Sequence, residues 1–203
     1  MTGVQTCALP ISFSNSAAAA PLPMFPFILT PPTAAVQPPV QSMPQAQEED
    51  RSVELPARLR RQVVAYPTRE APGTVIIDTP HTYLYLVLGG GQAMRYGIGV
   101  GRPGFTWAGV KTISAKKEWP AWTPPPEMLA RRPDLPRHME GGPENPLGAR
   151  AMYLGSTLYR IHGSNEPETI GQAVSSGCFR MTNEDVKDLY DRVSVGATVV
   201  VKN

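Results

Sequence analysis

Between positions 73 and 201 the apolar residues fall into short runs of strand period, each closed by glycine, proline or a polar pair. TVIID at 74–78 is β-branched and apolar, Thr79-Pro80-His81 turns the chain, and TYLYLVL at 82–88 follows as a second strand. Gly89-Gly90-Gly91 then closes a hairpin, and QAMRYGIGVG at 92–101 returns with alternating apolar positions. The triple glycine joins two strands and lacks a following Lys-Ser/Thr, so it is a turn and not a phosphate loop. VKTISAKKEW at 110–119 reads as a further strand. LGARAMYLGSTLYRIHG at 147–163 reads as strand, turn at Gly155-Ser156, and a strand ending at His162.

One segment carries the helical period. Val186, Leu189, Tyr190 and Val193 recur at helical spacing behind Thr182, a good N-cap, with Asp185 three residues on. Gly196 ends that unit and ATVVV at 197–201 is a last strand. Glu127 to Arg131, led in by prolines, fits a helical turn or two. Many short strands and one good helix predict a mainly β fold, a sandwich or barrel. The stretch 102–146 is long and irregular, as lids are. It brings Trp107, Trp119 and Trp122 together, either as core anchors or as the wall of a cleft, with Trp122 the candidate substrate contact.

Composition divides the chain further. Apolar content of 41% in 203 residues supports one core, and 23 prolines are well above ordinary usage. Residues 12–57 are Pro-, Ala- and Gln-rich without period, which predicts a non-globular leader or linker ahead of a domain at 58–203. Within that lead-in, 55–64 suits a short helix or packed arm and 60–68 an extended strand. The first eleven residues, MTGVQTCALPI, back-translate into a common sequencing adapter and are read as an artefact, which removes Cys7 and any Cys7–Cys178 disulfide. A net charge of +2 gives no basic patch for nucleic acid, and no apolar stretch is long enough for an integral membrane span.

The candidate chemistry lies in IHGSNEPETIGQAVSSGCFRM at 161–181. A thiol is a nucleophile only as thiolate, and an imidazole is the usual way to obtain one. Cys178 and His162 are therefore paired as nucleophile and base, across a loop that must fold back on itself. Gly163 offers its carbonyl to orient the imidazole. Gly177 allows a tight turn, so the N–H groups of Ser176, Gly177 and Cys178 form the expected oxyanion hole. Arg180 is either a guanidinium for a substrate carboxylate or a structural ion pair, and Ser175 is a further candidate substrate contact. Three scattered histidines and one cysteine lack zinc spacing, and thiol–imidazole chemistry calls for no cofactor.

His162-Gly163 followed by Ser175-Ser176-Gly177-Cys178-Phe179-Arg180-Met181 resembles the signature of the L,D-transpeptidase (YkuD-type) family. The resemblance covers roughly 73–201. It departs at Ser176, where many members carry a second histidine. It implies a β-sandwich of mixed sheets with the cysteine turn at one edge, and His162 as the base. It also implies peptidoglycan stem peptides as substrates, cleaved between diaminopimelate and D-alanine through a thioester. The acceptor would be a second stem, giving a 3→3 crosslink, or an envelope protein, in the periplasm or cell-wall space. The alternatives are an L,D-carboxypeptidase, in which water replaces the acceptor amine, and a non-catalytic wall-binding module.

Overall fold

The computed structural model describes residues 54–203; the expectations for 1–53, Cys7 among them, lie outside the described residues. A 3-10 turn at Ala57–Leu59 leads into eleven strands and two helices. The strands are β1 (Gln62–Ala65), β2 (Val75–Asp78), β3 (Tyr83–Gly89), β4 (Gln92–Gly97), β5 (Val100–Gly101), β6 (Gly109–Glu118), β7 (Arg150–Leu154), β8 (Arg160–His162), β9 (Ala173–Ser175), β10 (Phe179–Arg180) and β11 (Thr198–Lys202). The helices are α1 (Pro126–Arg131) and α2 (Asn183–Arg192).

Nine strands form one mixed sheet in the order β1-β4-β3-β2-β11-β6-β7-β8-β10, and β5 pairs with β9 apart from it. The long strand β6 belongs to both halves: its first residues pair with β11, its later ones with β7. A register shift between Ile113 and Ala115 separates the two pairings. Bulges bend a strand and raise its twist, which lets the sheet turn back over its own core. Val75, Ile77, Leu84, Tyr96 and Ile98 from one half meet Met152, Leu154, Ile161 and Phe179 from the other. The mainly β reading and the hairpin at Gly89–Gly91 hold. Within the irregular stretch, the strand expected at 110–119 is the ten-residue β6 and the helical turn expected at Glu127 to Arg131 is α1.

Helix α2 closes the core with Val186 and Leu189. Thr182 Oγ1 accepts the Asp185 N–H at 3.1 Å, the expected N-cap. At the other end the Lys116 ammonium donates to the carbonyls of Tyr190 and Val193 at 2.5 and 2.7 Å, meeting orphan acceptors with a cation where the helix dipole favours one. No helix among the described residues is long and apolar enough to cross a membrane.

The lead-in is part of the folded unit. Leu59 is 1% exposed and its side chain seats against Gly97 and Gly171, so the turn at Ala57–Leu59 is bolted to β4 and to the loop before the cysteine. Leu59→Ala is expected to cost about 2–4 kcal/mol, the range for a buried leucine whose site only partly collapses. Urea unfolding monitored by tryptophan fluorescence measures it; a loss below about 1 kcal/mol would show that the lead-in is not anchored.

Candidate active site

Strands β8 and β10 lie parallel and in register, Ile161 beside Phe179 and His162 beside Arg180. Successive side chains on a strand point to opposite faces. Ile161 and Phe179 enter the core, so His162 and Arg180 face the other way. One step back along both strands come Arg160 and Cys178, which share that outer face. The cysteine and the histidine are thus diagonal neighbours on one face, a spacing across which longer side chains meet. The loop between them folds back, as the sequence requires, and carries β9.

His162 is 4% exposed. Its Nδ1 lies 2.6 Å from the Gly163 carbonyl oxygen. A carbonyl only accepts, so Nδ1 carries the proton and Nε2 holds the free lone pair. Burial lowers the imidazole pKa to about 3, and the Arg180 and Arg160 charges push the same way against the Gly163 hydrogen bond. The His-Gly corner is clamped by the start of α2. Asn183 Oδ1 accepts the Ala149 N–H at 2.9 Å, and a Cβ on Gly163 would stand 2.3 Å from that same oxygen. Only glycine fits beneath it.

The cysteine turn is held by Ser175. Its hydroxyl donates to the Cys178 carbonyl at 2.6 Å and accepts the Gly177 N–H at 3.1 Å. Gly177 has φ +106°, and a Cβ there would lie 2.6 Å from the Tyr159 ring, so both backbone and space demand glycine. Trp107 donates from Nε1 to the Gly177 carbonyl at 2.9 Å and stacks on Tyr159 with ring centroids 4.6 Å apart. The Cys178 thiol leans toward the Leu158 carbonyl, a long contact of 3.7 Å. Burial pushes the thiol pKa up, while Arg160 and then Arg180 pull it back. The resting site therefore holds a neutral thiol beside a neutral imidazole.

Several expectations are corrected here. The Gly177 N–H is spent on Ser175, so it leaves the oxyanion hole, and Ser176 and Cys178 are the remaining candidate donors. Ser175, expected as a substrate contact, is 5% exposed, and its hydroxyl both donates and accepts inside the turn, which it shapes. Trp122 is 9% exposed and bridges to Met139 through backbone hydrogen bonds of 2.8 Å each way, which anchors the loop, the core-anchor alternative of the sequence reading. Arg180 takes the structural alternative: its Nη1 donates to Glu166 Oε2 at 2.9 Å and to Thr169 Oγ1 at 3.4 Å. Sequence reasoning missed Arg160, although its position two residues before His162 on a strand already put both on one face. It also missed Trp107 as the tryptophan that braces the turn.

Two outcomes test this geometry. Ser175→Ala strands the Gly177 N–H and the Cys178 carbonyl, at a cost of about 1–3 kcal/mol. Thermal unfolding should fall and kcat with it, while KM stays near the parent value; a rise in KM alone would restore Ser175 as a substrate contact. Alkylation of Cys178 by iodoacetamide follows the thiolate. Its rate should climb through and beyond the ordinary thiol value of 9.0, without a plateau between about pH 4 and 8. A plateau there would show a preformed thiolate–imidazolium pair.

Comparison with known proteins agrees with the fold. The model of the L,D-transpeptidase catalytic domain family, YkuD, matches residues 72–201. The probable L,D-transpeptidase ErfK/SrfK of Escherichia coli K12 is 43% identical over 112 residues, 51% of this chain and 35% of that protein. The probable L,D-transpeptidase YbiS of the same strain is 36% identical over 146 residues, 68% of this chain and 47% of its own. The chain thus spans between a third and half of the length of these relatives. L,D-transpeptidase 3 from Mycobacterium tuberculosis superposes with a TM-score of 0.53 at 16% identity, over 64% of this chain and 60% of that one, a likeness of fold. With the family model matched over 72–201, from β2 to β11 and through both helices, the chain belongs to the YkuD L,D-transpeptidase catalytic domain family.

Proposed function

We propose that the protein is an exported peptidoglycan L,D-transpeptidase with Cys178 as nucleophile and His162 as base. The observation that carries the reading is the shared face of β8 and β10, with the His162 tautomer fixed by Gly163 so that Nε2 is the basic atom. The Cys178 sulfur attacks the carbonyl between diaminopimelate and D-alanine in a tetrapeptide stem, and its proton passes to Nε2 of His162. The tetrahedral oxyanion takes hydrogen bonds from the N–H groups of Ser176 and Cys178. The C–N bond then breaks, the imidazolium returns its proton to the departing amine, and a thioester remains. An acceptor amine attacks the thioester, giving up a proton to Nε2, and the thiol is regenerated. The acceptor is a second stem, giving a 3→3 crosslink, or the amine of an envelope protein. The catalytic unit runs over 58–203 and works in the periplasm or cell-wall space.

The neutral resting pair fits this order of events. A base with its pKa near 3 does not hold the thiol proton at rest. The transfer has to accompany attack, when the developing oxyanion offsets the positive charge of the two guanidinium groups.

The test is the full chain, reduced, with a disaccharide-tetrapeptide and mass spectrometry. Loss of D-alanine with a crosslinked dimer is expected, and Cys178→Ala should abolish both while the unfolding transition stays in place. Ser176→His should keep turnover within about tenfold, because it enters through a backbone N–H. Loss of D-alanine without dimer would replace transpeptidation by L,D-carboxypeptidase action. No turnover by a protein whose Cys178 alkylates normally would leave a non-catalytic wall-binding module.

A further inference from the structure

The outer face of β6, β7, β8 and β10 carries more than the nucleophile and base. Across it run Lys117, Tyr153 and Arg160, ending at Cys178; Tyr153 lies directly beside Arg160 in the antiparallel register of β7 and β8. Arg160 places its guanidinium over the Tyr153 ring at 5.2 Å, and Lys117 approaches the same ring at 6.0 Å. Next to them an open cavity of about 400 Å³ is lined by Ser114, Lys117, Tyr153 and Thr157 among others. Its rim, the turn at 155–157, runs straight into Leu158, whose carbonyl touches the Cys178 sulfur.

Arg160 is set apart from the other cations around the site. Arg180 is ion-paired with Glu166. Arg95 and Arg150 each hold a buried Nε without an acceptor, but both satisfy other nitrogens, on the Arg58 carbonyl and on Ala149 and Glu118 respectively. Arg160 also has a buried Nε with no acceptor, and among the described residues no carboxylate pairs with it. Its neighbours are an aromatic face and the thiol. A guanidinium is a planar fork of donors matched to a carboxylate. A donor held out of water without an acceptor is costly, and natural structures leave few of them.

We propose that Arg160 is the specificity residue for the free terminal carboxylate of the donor peptide, binding the carboxylate of the residue that leaves. This deepens, and rests on, the transpeptidase reading above. The geometry fits. When the sulfur attacks the scissile carbonyl, the carboxylate of the next residue lies about one residue's reach away, ~3.5 Å. The next strand over, at about 4.8 Å, is the one that carries Arg160. The cavity beside Tyr153 gives the leaving residue room and a route out. A donor that continues past this residue, or ends in an amide, presents no charge to the fork and leaves it unpaired.

The experiment compares two donors on the full-length protein, a disaccharide-tetrapeptide ending in free D-alanine and the same molecule ending in D-alaninamide. Release of the fourth residue is followed by mass spectrometry to give kcat/KM. The wild-type protein should prefer the free acid by about 10²-fold or more, as a site built to pair a polar group rejects the analogue lacking it. In Arg160→Gln the ratio of kcat/KM on the acid to that on the amide should collapse toward unity, over and above any common change that the lost charge brings to both donors through the thiol, and Arg160→Lys should regain part of the ratio. Equal use of both donors by the wild type overturns the proposal without any variant. So does an Arg160→Gln protein that keeps the wild-type ratio between the two donors, whether or not turnover on both falls together, with its thermal transition unchanged. A wild type inactive on both donors is a different result, since it removes the transpeptidase reading on which the proposal stands.

Discussion

The parallel pairing of β8 with β10 is the constraint on which the site depends. Each strand is only two or three residues long, yet a slip of one residue would turn Cys178 and His162 into the core and expose Ile161 and Phe179. The register is fixed from both sides. The Met181 N–H donates to the His162 carbonyl at 2.8 Å, and Arg180 exchanges backbone hydrogen bonds with Gly99, each 2.9 Å long. Phe179 also packs against Trp107, which in turn holds the Gly177 carbonyl. The apolar side of the pair thereby decides where the polar side points.

The electrostatics follow from the same pairing. Arg160 and Arg180 bracket the thiol and the imidazole on one face. Both cations favour thiolate over thiol and imidazole over imidazolium, while burial opposes the thiolate and any imidazolium alike. The site therefore avoids a standing ion pair. A half-buried cysteine kept as thiol is also less open to oxidation than a resident thiolate.

Much of this could be read from the chain before folding. The period-2 runs located the strands and the hairpin, and Thr182 with Val186 and Leu189 located the helix. The His-Gly and Gly-Cys turns located the candidate nucleophile and base. What escaped has a common physical cause. Trp122 and Ser175 carry residue types that suit a binding site, and only their burial shows that each is already engaged. A two-residue strand such as β10 lies below the length at which alternation is visible, so the shared face of Arg160 and Cys178 became evident only once β8 supplied the register. Strand β9, at the end of the loop, is held through parallel pairing with the two-residue β5, a partner distant in sequence.

The loops around the site show why short strands suffice there. Ser175, Asn183, Asn145 and Ser164 each use a side chain to bond backbone groups that no strand reaches. Asn145 is the fullest case: its Nδ2 donates to the Glu140 carbonyl at 2.9 Å while its Oδ1 accepts the Leu147 N–H at 2.9 Å. Buried backbone must be paired somewhere, and here small polar side chains take the place of a ladder. The turn around Ser176 and Cys178 is held in this way, from beneath by Ser175 and from the side by Trp107, without a ladder through their N–H groups. A regular strand would have consumed the same N–H groups in pairing. Side-chain bonds of this kind let a mainly β fold hold a rigid, locally irregular peptide beside Cys178, where a ladder would impose a regular strand.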